Sequence, residues 1–417
     1  MSVKKKILLL SDDIRLTTGV ANISKRILLN TIGSYDWVQM AMGCNSPEPN
    51  IIDISESISD LTNVKNCYAR LYETSGYGDA QRLRNIVNQE SPDAILHMTD
   101  PHRWKWLYDI EHEIREKIPL MYYHVWDNTP FPKYLKSIYK SCDWIGCISK
   151  LTQQCVNSVY PEHSNFQYIP HGVDTRVFYK QNADTSKQHR IGMLGEDYSF
   201  VVFFNNTNIH RKQLLLTIES FSDFYRNKLS AAEKTEVMLL LHTDVNRADG
   251  SDINKVLDDL YPDIPVLISD KLVSDSVLNT MYNLSHLTIN VASNEGFGLT
   301  TLESVATETP ILISNTGGLS DQYNSEWAEL IEPSVKSMVG TQQTPYIYSD
   351  ICSAADVCEG IYTMFNRRSS IDMSNKNEFL LNNNFIDTQM TSAIENSITT
   401  TIENFKPRGR FKFNKVV

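Results

Sequence analysis

The feature that most constrains the fold is an alternation of short apolar runs with helical stretches. Lys6–Ser11 and Leu120–His124 are apolar runs that predict β-strands, and Val20–Leu29 is one of the intervening stretches that predict helices. Strands that are apolar throughout are typical of parallel sheets covered by helices on both faces. A polar stretch, Gln181–His189, predicts a linker, and the same alternation resumes at Phe200–Phe204.

The alternation therefore predicts an α/β protein with two Rossmann-like, doubly wound domains that face a cleft. Its 417 residues are enough for two such domains. We assign residues 1–180 to an N-terminal domain and residues 190–389 to a C-terminal domain. We expect residues 390–417 to pack back on the first domain.

Composition narrows the protein class. The formal net charge of −11 argues against a surface coated by nucleic acid, although it permits a local basic patch. The seven cysteines include no C-x-x-C pair, which favours a reduced, cytoplasmic location and gives no zinc spacing. No apolar run approaches the roughly 18 residues of a membrane helix, so we expect no membrane partner. Met1–Asp13 predicts a first strand rather than a secretion signal.

The segment Ser293–Gly318 contains the largest group of candidate functional residues. Gly296 and Gly298 allow the backbone to approach a ligand closely, and free N–H groups at a helix start near Leu299 can bind an anion. Glu295 and Glu303 lie eight residues apart, and their carboxylates can accept hydrogen bonds from sugar hydroxyls. The alternative is a plain strand–loop–helix connection in which Glu303 only balances the helix dipole.

This segment, EGFGLTTLESVATETPILISNTGG, resembles the signature of retaining glycosyltransferases of the GT-B fold, namely glycosyltransferase family four with its E-x7-E pair. The resemblance implies a C-terminal domain that binds the nucleotide-sugar donor and an N-terminal domain that binds the acceptor. It implies that Glu303 binds the ribose, and that the donor is also held by Glu295, Gly296, Phe297, Gly298, Leu299 and Thr300. Thr300 stands where proline is usual, and Thr307-Glu308 replaces the common Cys-Gly.

Two further segments are similar to the same family. Tyr168–Phe178 contains HGVD-x-x-x-F, which is typical of the crossover between the domains and acts as a structural hinge. In Asn205–Gln213, Arg211 and Lys212 place cations at a helix start, where the dipole favours an anionic ligand. The resemblance implies that Lys212 neutralises the donor diphosphate. Thr207 occupies the position of the family's arginine, and Arg211 can compensate; the alternative is a solvated basic helix face.

The first half offers weaker candidates. Gly19 precedes a helix, so its loop could face the donor phosphates, or it could form a tight turn capped by Thr17 or Thr18. His124 follows a strand, where it could hydrogen-bond the donor or polarise the acceptor, and Asp127 is a lesser candidate. Three neighbouring residues suggest a metal cluster but lack a fourth ligand, so we assign no metal; they are His97, Asp100 and His102.

The resemblance, together with these residues, implies a retaining glycosyltransferase that moves a sugar from a nucleotide diphosphate sugar, expected to be a UDP-sugar, to an acceptor hydroxyl. The predicted catalytic residues are His124, Glu295 and Lys212, and no cofactor is required. The tail Lys406–Val417 has five basic residues interleaved with Phe411 and Phe413, a pattern that suits phosphate contacts and base stacking. This pattern is the one sequence hint of DNA as a partner, with a modified base in viral DNA as the acceptor, in the host cytoplasm. For the tail itself, packing on the first domain is the preferred interpretation.

Other functions remain open from the sequence. The acceptor could be a polysaccharide or a protein. The chain could also be a catalytically silent nucleotide-sugar-binding protein, a nucleotide-sugar epimerase, or a DNA-binding protein that depends on its tail.

Overall fold

The computed structural model describes residues 4–44 and 50–408. The strands in these residues are β1 (Lys5–Asp12), β2 (Tyr35–Cys44), β3 (Ile51–Asp53), β4 (Ala69–Ser75), β5 (Ala94–Thr99), β6 (Leu120–His124), β7 (Trp144–Cys147), β8 (Phe166–Tyr168), β9 (Phe200–Asn205), β10 (Val237–His242), β11 (Val266–Ser269), β12 (Leu287–Asn290), β13 (Ile311–Ser314), β14 (Ala328–Ile331), β15 (Val335–Val339) and β16 (Ile347–Ile351).

The α-helices of the same residues are α1 (Gly19–Thr31), α2 (Ser55–Thr62), α3 (Ala80–Glu90), α4 (Lys105–Asp109), α5 (Glu111–Ile114), α6 (Lys136–Lys140), α7 (Lys150–Val159), α8 (Ala183–Leu194), α9 (Leu214–Asn227), α10 (Ile253–Leu260), α11 (Asp275–Leu284), α12 (Leu299–Ala306), α13 (Ala354–Arg367), α14 (Lys376–Asn382) and α15 (Asp387–Asn404).

The chain folds into two compact units, and each unit is built from segments that are not continuous in the sequence. The first unit is built from the chain up to Trp126, from Phe131–His171, and from Asp387 onward. The second unit is built from Asp127–Pro130 and Gly172–Ile386. The short segment Asp127–Pro130, which the sequence predicts within the N-terminal domain, thus belongs to the second unit.

The first unit contains an eight-stranded sheet in the order β3-β4-β2-β1-β5-β6-β7-β8. All neighbouring strands are parallel except β3, which runs antiparallel to β4 at one edge. Residues such as Leu8, Leu10 and Val38 are fully buried, as expected for strands covered by helices on both faces. Removing this apolar surface from water is the main favourable contribution to the unit's stability.

Helix α15 completes the first unit. It buries Met390, Ile394 and Ile398, which share one helical face at four-residue spacing. The Asn30 side-chain amide donates a hydrogen bond to the Asp387 carboxylate at 2.6 Å, which ties α15 to α1. Farther on, the Arg408 backbone N–H donates to the Arg115 carbonyl at 2.9 Å. The tail beyond Arg408, with Phe411 and Phe413, lies outside the described residues.

The second unit contains a six-stranded sheet in the order β11-β10-β9-β12-β13-β14, in which all neighbours are parallel. Its core includes Phe204, Ile218, Leu239, Ile289 and Ile361, all of which are buried. Strands β15 and β16 form a separate antiparallel hairpin. Because the sheet is parallel, the carboxyl ends of β9, β10 and β12 meet at one edge, where ligands bind in folds of this class.

The predicted linker at Gln181–His189 is wrong, because helix α8 occupies most of it. The Asn182 side chain caps this helix by accepting a hydrogen bond from the Thr185 N–H at 2.7 Å. Gly195 ends the helix in the left-handed region with φ +89°. Helix α8 buries only Ser186 and exposes polar residues, which is why its sequence resembles a loop.

Two general expectations concern cysteines and membranes. The six cysteines whose side chains the structure describes are all free thiols. Within residues 4–44 and 50–408, no helix is both long and apolar enough to cross a bilayer.

Candidate functional site

The loop Ser293–Gly298 leaves the carboxyl end of the second unit's sheet and leads into α12. Gly298 is the N-cap of α12 and has φ +90°, which L-residues with a side chain rarely adopt. A Cβ at this position would lie 2.5 Å from Leu319 Cδ2 and 2.8 Å from Thr301 Oγ1. Glycine is therefore required here by both backbone conformation and space, and the first N–H groups of α12 are left without intrahelical acceptors.

Gly317 and Gly318 pack directly against the backbone of this loop. A Cβ on Gly317 would lie 1.8 Å from the Glu295 carbonyl oxygen, and a Cβ on Gly318 would lie 2.3 Å from the Gly296 carbonyl oxygen. The Gly318 N–H donates to the Glu295 carbonyl at 2.9 Å. The two ends of the sequence motif are thus in direct backbone contact, and this contact fixes the position of Glu295.

The Glu295 carboxylate forms a buried ion pair with Lys212. Lys212 Nζ donates to Glu295 Oε2, and the two side chains are only 12% and 11% exposed. Arg211 adds a second cation, with its Nη1 atom 3.6 Å from the same carboxylate oxygen and donating to the Asn294 carbonyl at 2.8 Å. These cations lie in a 3₁₀ turn, His210–Lys212, rather than in the first turn of α9, which begins at Leu214.

Charge and burial act in opposite directions on this pair. Burial raises the pKa of Glu295, but Lys212 and then Arg211 outweigh it, so the pKa of this carboxyl is below its usual value. Burial lowers the pKa of Lys212, and the neighbouring Glu295 carboxylate offsets this only in part. Glu295 is therefore ionised at neutral pH and is held by cations that could also meet a phosphate.

The second acidic residue, Glu303, accepts a hydrogen bond from a buried tyrosine. The Tyr282 hydroxyl donates to Glu303 Oε2 at 2.9 Å, and the Asn205 amide donates to the Tyr282 oxygen at 2.8 Å. Tyr282 is fully buried, and Asn205 is the last residue of β9. Both carboxylates are thus tied to the end of β9 or to the turn that follows it.

Several buried polar atoms near this sheet edge have no hydrogen-bond partner among the described residues. They are the side-chain amide nitrogens of Asn206 and Asn290 and the hydroxyl of Thr300. Asn206 follows β9, Asn290 ends β12, and Thr300 is the second residue of α12. Since buried polar groups are normally hydrogen-bonded, these three groups are candidates for contact with a polar ligand at this edge.

A segment from the first half of the sequence joins this site. The Asn128 side-chain amide donates to Asp350 Oδ2 at 3.0 Å and to the Tyr348 carbonyl at 2.8 Å. The buried Asp350 in turn donates its backbone N–H to the Ser293 carbonyl at 3.0 Å. The Asp127 carboxylate opposes the burial effect on the pKa of Lys212. Asp127 therefore contributes negative charge to the environment of the Lys212–Glu295 pair.

The first-unit candidates have a different environment. Gly19 is exposed at the start of α1, where the Thr18 hydroxyl accepts the Ala21 N–H at 3.0 Å and confirms Thr18 as the N-cap. His124 is fully buried at the end of β6 and its Nε2 atom lies 2.7 Å from the Tyr139 hydroxyl. Burial lowers the pKa of His124 to about 3, so its ring is neutral at physiological pH.

The suspected metal cluster is dispersed. His97 is buried on β5 and stacks on Tyr122 with ring centroids 4.2 Å apart, whereas Asp100 is exposed. Across the described residues, no group of three or more histidine, cysteine, aspartate or glutamate side chains is arranged to hold a metal ion.

Comparisons with known proteins address the family. Residues 175–370 match the family model described as Family 4 Glycosyltransferase in conflict systems. The chain is similar to family 4 glycosyltransferases. It is also 24% identical over 215 residues to the α-1,3/1,6-mannosyltransferase ALG2 of Yarrowia lipolytica. This match covers 45% of this chain and 46% of that relative. The chain therefore matches somewhat less than half the length of this curated relative.

Solved structures establish the fold. Anabaena HepE in complex with UDP and glucose has a TM-score of 0.69 and 13% identity, and the match covers 95% of this chain and 100% of HepE. Sucrose-phosphate synthase from Thermosynechococcus elongatus has a TM-score of 0.71 and 14% identity, with 96% and 100% covered. The predicted GT-B fold is confirmed, as is the predicted likeness to family four.

Sequence reasoning missed several residues of this site, namely Asn128, Asn205, Tyr282, Asn290 and Asp350. Asn205 and Asn290 had one available signal, since each is a polar residue that ends an apolar strand. Tyr282 had none, because an aromatic residue in an apolar helix predicts packing in the core.

Proposed function

We propose that this protein transfers a glycosyl group from a nucleotide diphosphate sugar to an acceptor hydroxyl, with retention of the anomeric configuration. The observation that carries the proposal is that two acidic side chains are both held at the carboxyl end of β9. Glu295 forms an ion pair with Lys212, which lies in the turn that follows β9, and Glu303 is linked through Tyr282 to Asn205, the last residue of β9. This edge of a parallel sheet is the position at which nucleotide ligands bind.

The donor would occupy the second unit. Lys212 and Arg211 would neutralise the diphosphate, helped by the free N–H groups of α12 and the Thr300 hydroxyl. Glu303 would accept hydrogen bonds from the ribose, and Glu295 with the loop Gly296–Leu299 would hold the sugar. The similarity in fold to HepE, solved with UDP and glucose, supports a UDP-sugar as donor. Because Thr207 stands where the family has an arginine, the site has one cation fewer at this position, and Arg211 would compensate for it.

The proposed reaction balances without a cofactor. The bond between the sugar C1 and the diphosphate oxygen breaks as the acceptor oxygen forms a bond to C1 on the same face. The acceptor proton moves to an oxygen of the departing diphosphate, and a nucleoside diphosphate is released. Ionised Glu295 is engaged by two cations, which argues against its acting as the free base that an inverting reaction needs.

Two first-unit residues keep narrower roles in the proposal. The exposed backbone at Gly19 would permit close approach of a phosphate. His124, predicted as catalytic, is fully buried and bonded to Tyr139. We propose that it orders the end of β6 and does not touch substrate.

Glu303→Ala should raise the KM for the donor by about 10- to 100-fold, because a hydrogen bond to a charged group contributes ~1.5–3 kcal/mol. The assay offers UDP-, GDP- and ADP-sugars and follows released nucleoside diphosphate. Proton NMR of the glycosylated product then gives its anomeric configuration.

Glu308→Gln is the matched control, since Glu308 follows the same helix but pairs with Lys376 at 3.1 Å. It should leave the donor KM unchanged. Undiminished activity in Glu303→Ala would refute the donor site. Tight donor binding without turnover on any acceptor would instead identify a silent nucleotide-sugar-binding protein, and an interconverted sugar nucleotide would identify an epimerase.

For the acceptor we propose DNA with hydroxyl-bearing modified bases, and the basic, aromatic tail supports this choice. Deleting residues 409–417 removes Arg410, Lys412 and Lys415 but keeps the contact of Arg408 with Arg115. The truncated chain should bind duplex DNA more weakly at low salt, with a slope of log K against log salt shallower by about 2–3. Unchanged affinity and slope in fluorescence anisotropy would favour a polysaccharide or protein acceptor.

A further inference from the structure

A hydrogen-bond chain links three side chains and ends at Glu303. The Asn205 amide lies 2.8 Å from the Tyr282 oxygen, and that oxygen lies 2.9 Å from Glu303 Oε2. Asn205 is 9% exposed and Tyr282 is fully buried, so the Asn205–Tyr282 contact is shielded from water, whereas Glu303 is half-buried. The chain spans three elements, because Asn205 ends β9, Tyr282 lies on α11 and Glu303 lies on α12.

The direction of these hydrogen bonds is fixed by chemistry. A carboxylate can only accept, so the single hydroxyl proton of Tyr282 is directed to Glu303. The Tyr282 oxygen must then accept, and Asn205 meets it with its amide N–H. Burial, followed by the charge of Glu303, raises the pKa of Tyr282 well above its usual value, which keeps the hydroxyl protonated.

A carboxylate held in this way can recognise only a ligand group that brings its own hydrogen. In a nucleotide sugar bound as proposed above, that group is a ribose hydroxyl. We infer that Tyr282, held by Asn205, is the positioning residue that keeps Glu303 directed at the ribose, so that discrimination between ribonucleotides and deoxyribonucleotides depends on the Tyr282 hydroxyl. This inference rests on the proposed function and adds to it the residues that position Glu303.

The test compares matched nucleotides by calorimetry on the full chain. UDP, GDP and ADP identify the base that binds best, and the 2′-deoxy and 3′-deoxy forms of that nucleotide follow. The wild-type protein should bind the ribonucleotide about 10- to 100-fold more tightly than at least one deoxy form. Tyr282→Phe removes only the hydroxyl, so the ring still packs, and the preference should fall below about 5-fold.

Tyr123→Phe is the matched control. Tyr123 is another fully buried tyrosine, and its hydroxyl donates to the Ile169 carbonyl at 2.9 Å in the first unit. This variant loses a comparable buried hydrogen bond, so its melting temperature should fall by a similar amount while its ribose preference stays at the wild-type value.

The outcomes separate the two proposals. A collapsed preference in Tyr282→Phe with an intact one in Tyr123→Phe supports the inference. A full preference in Tyr282→Phe, with loss only in Glu303→Ala, overturns the inference and leaves the proposed function standing. Equal binding of ribo and deoxy forms by the wild-type protein also overturns the inference. If none of the three ribonucleotides binds, the proposed function fails as well.

Discussion

Lys212→Ala should lower turnover by about 100- to 1000-fold, which is the usual cost of removing one group that stabilises developing negative charge. Lys212 is the more buried of the two cations at Glu295, and its side chain is 12% exposed against 43% for Arg211. The substitution also leaves the buried Glu295 carboxylate with Arg211, at 3.6 Å, as its nearest remaining cation, so the free energy of unfolding should fall by up to about 3–5 kcal/mol. Steady-state kinetics and chemical denaturation measure the two effects.

Two further variants separate catalysis from stability. Lys376 is a second buried lysine that pairs with a glutamate, at 3.1 Å from Glu308, but it lies outside the proposed site. Lys376→Ala should lose stability and keep kcat. The double variant Lys212→Met with Glu295→Gln removes the unpaired charge, so it should recover stability but not activity. Near-normal turnover in any variant that lacks Lys212 would contradict its role at the diphosphate.

Gly317→Ala should abolish activity and destabilise the second unit. The new Cβ would overlap the Glu295 carbonyl, 1.8 Å away, and φ at this position is +53°. The loop that carries Glu295 must therefore move, and a displacement of about 1 Å in a catalytic group can cost roughly 100-fold in rate. Kinetics with the preferred donor and a thermal melt would measure these losses.

Two other glycines divide this effect into its causes. Gly195 has φ +89° with open space around it, so Gly195→Ala reports backbone strain alone, about 1–2 kcal/mol, with full activity. Gly318 has an ordinary φ of −83°, but its Cβ would lie 2.3 Å from the Gly296 carbonyl oxygen, so Gly318→Ala reports the clash alone. Activity should fall in Gly318→Ala even if Gly317→Ala does not fold. Full activity in both would mean that the loop need not be rigid.

The sequence predicted the fold best where strands are uniformly apolar. β1, β6 and β9 lie at or within one residue of their predicted positions. β2 and β4 were not predicted, because each carries buried polar residues that interrupt the apolar pattern. Gln39 on β2 is fully buried and donates to the Asp12 carbonyl at 2.7 Å. A polar side chain whose partner is distant in sequence looks like a surface residue until the fold is known.

The site was predictable only in part for a similar reason. The E-x7-E motif identified Glu295 and Glu303 as candidates, the segment Asn205–Gln213 identified Lys212, and the structure places Lys212 against Glu295. What holds Glu303 could not be predicted, because Tyr282 belongs to another helix. Glu308 illustrates a departure with a local cost. It stands where the family usually has glycine, and its φ is +58°, a conformation that side-chain-bearing residues rarely adopt.

The placement of α15 has a consequence for how the protein is made. The second unit needs no residue after Ile386, whereas the first unit needs α15, whose last residue is Asn404. On the ribosome, translation of the first unit therefore begins before that of the second unit, but the first unit can complete its fold only after α15 is synthesised. Helix α1 lacks its partner helix until then. A premature stop just before Asp387 would release a chain whose α1 face is bare, a substrate for chaperones and proteases.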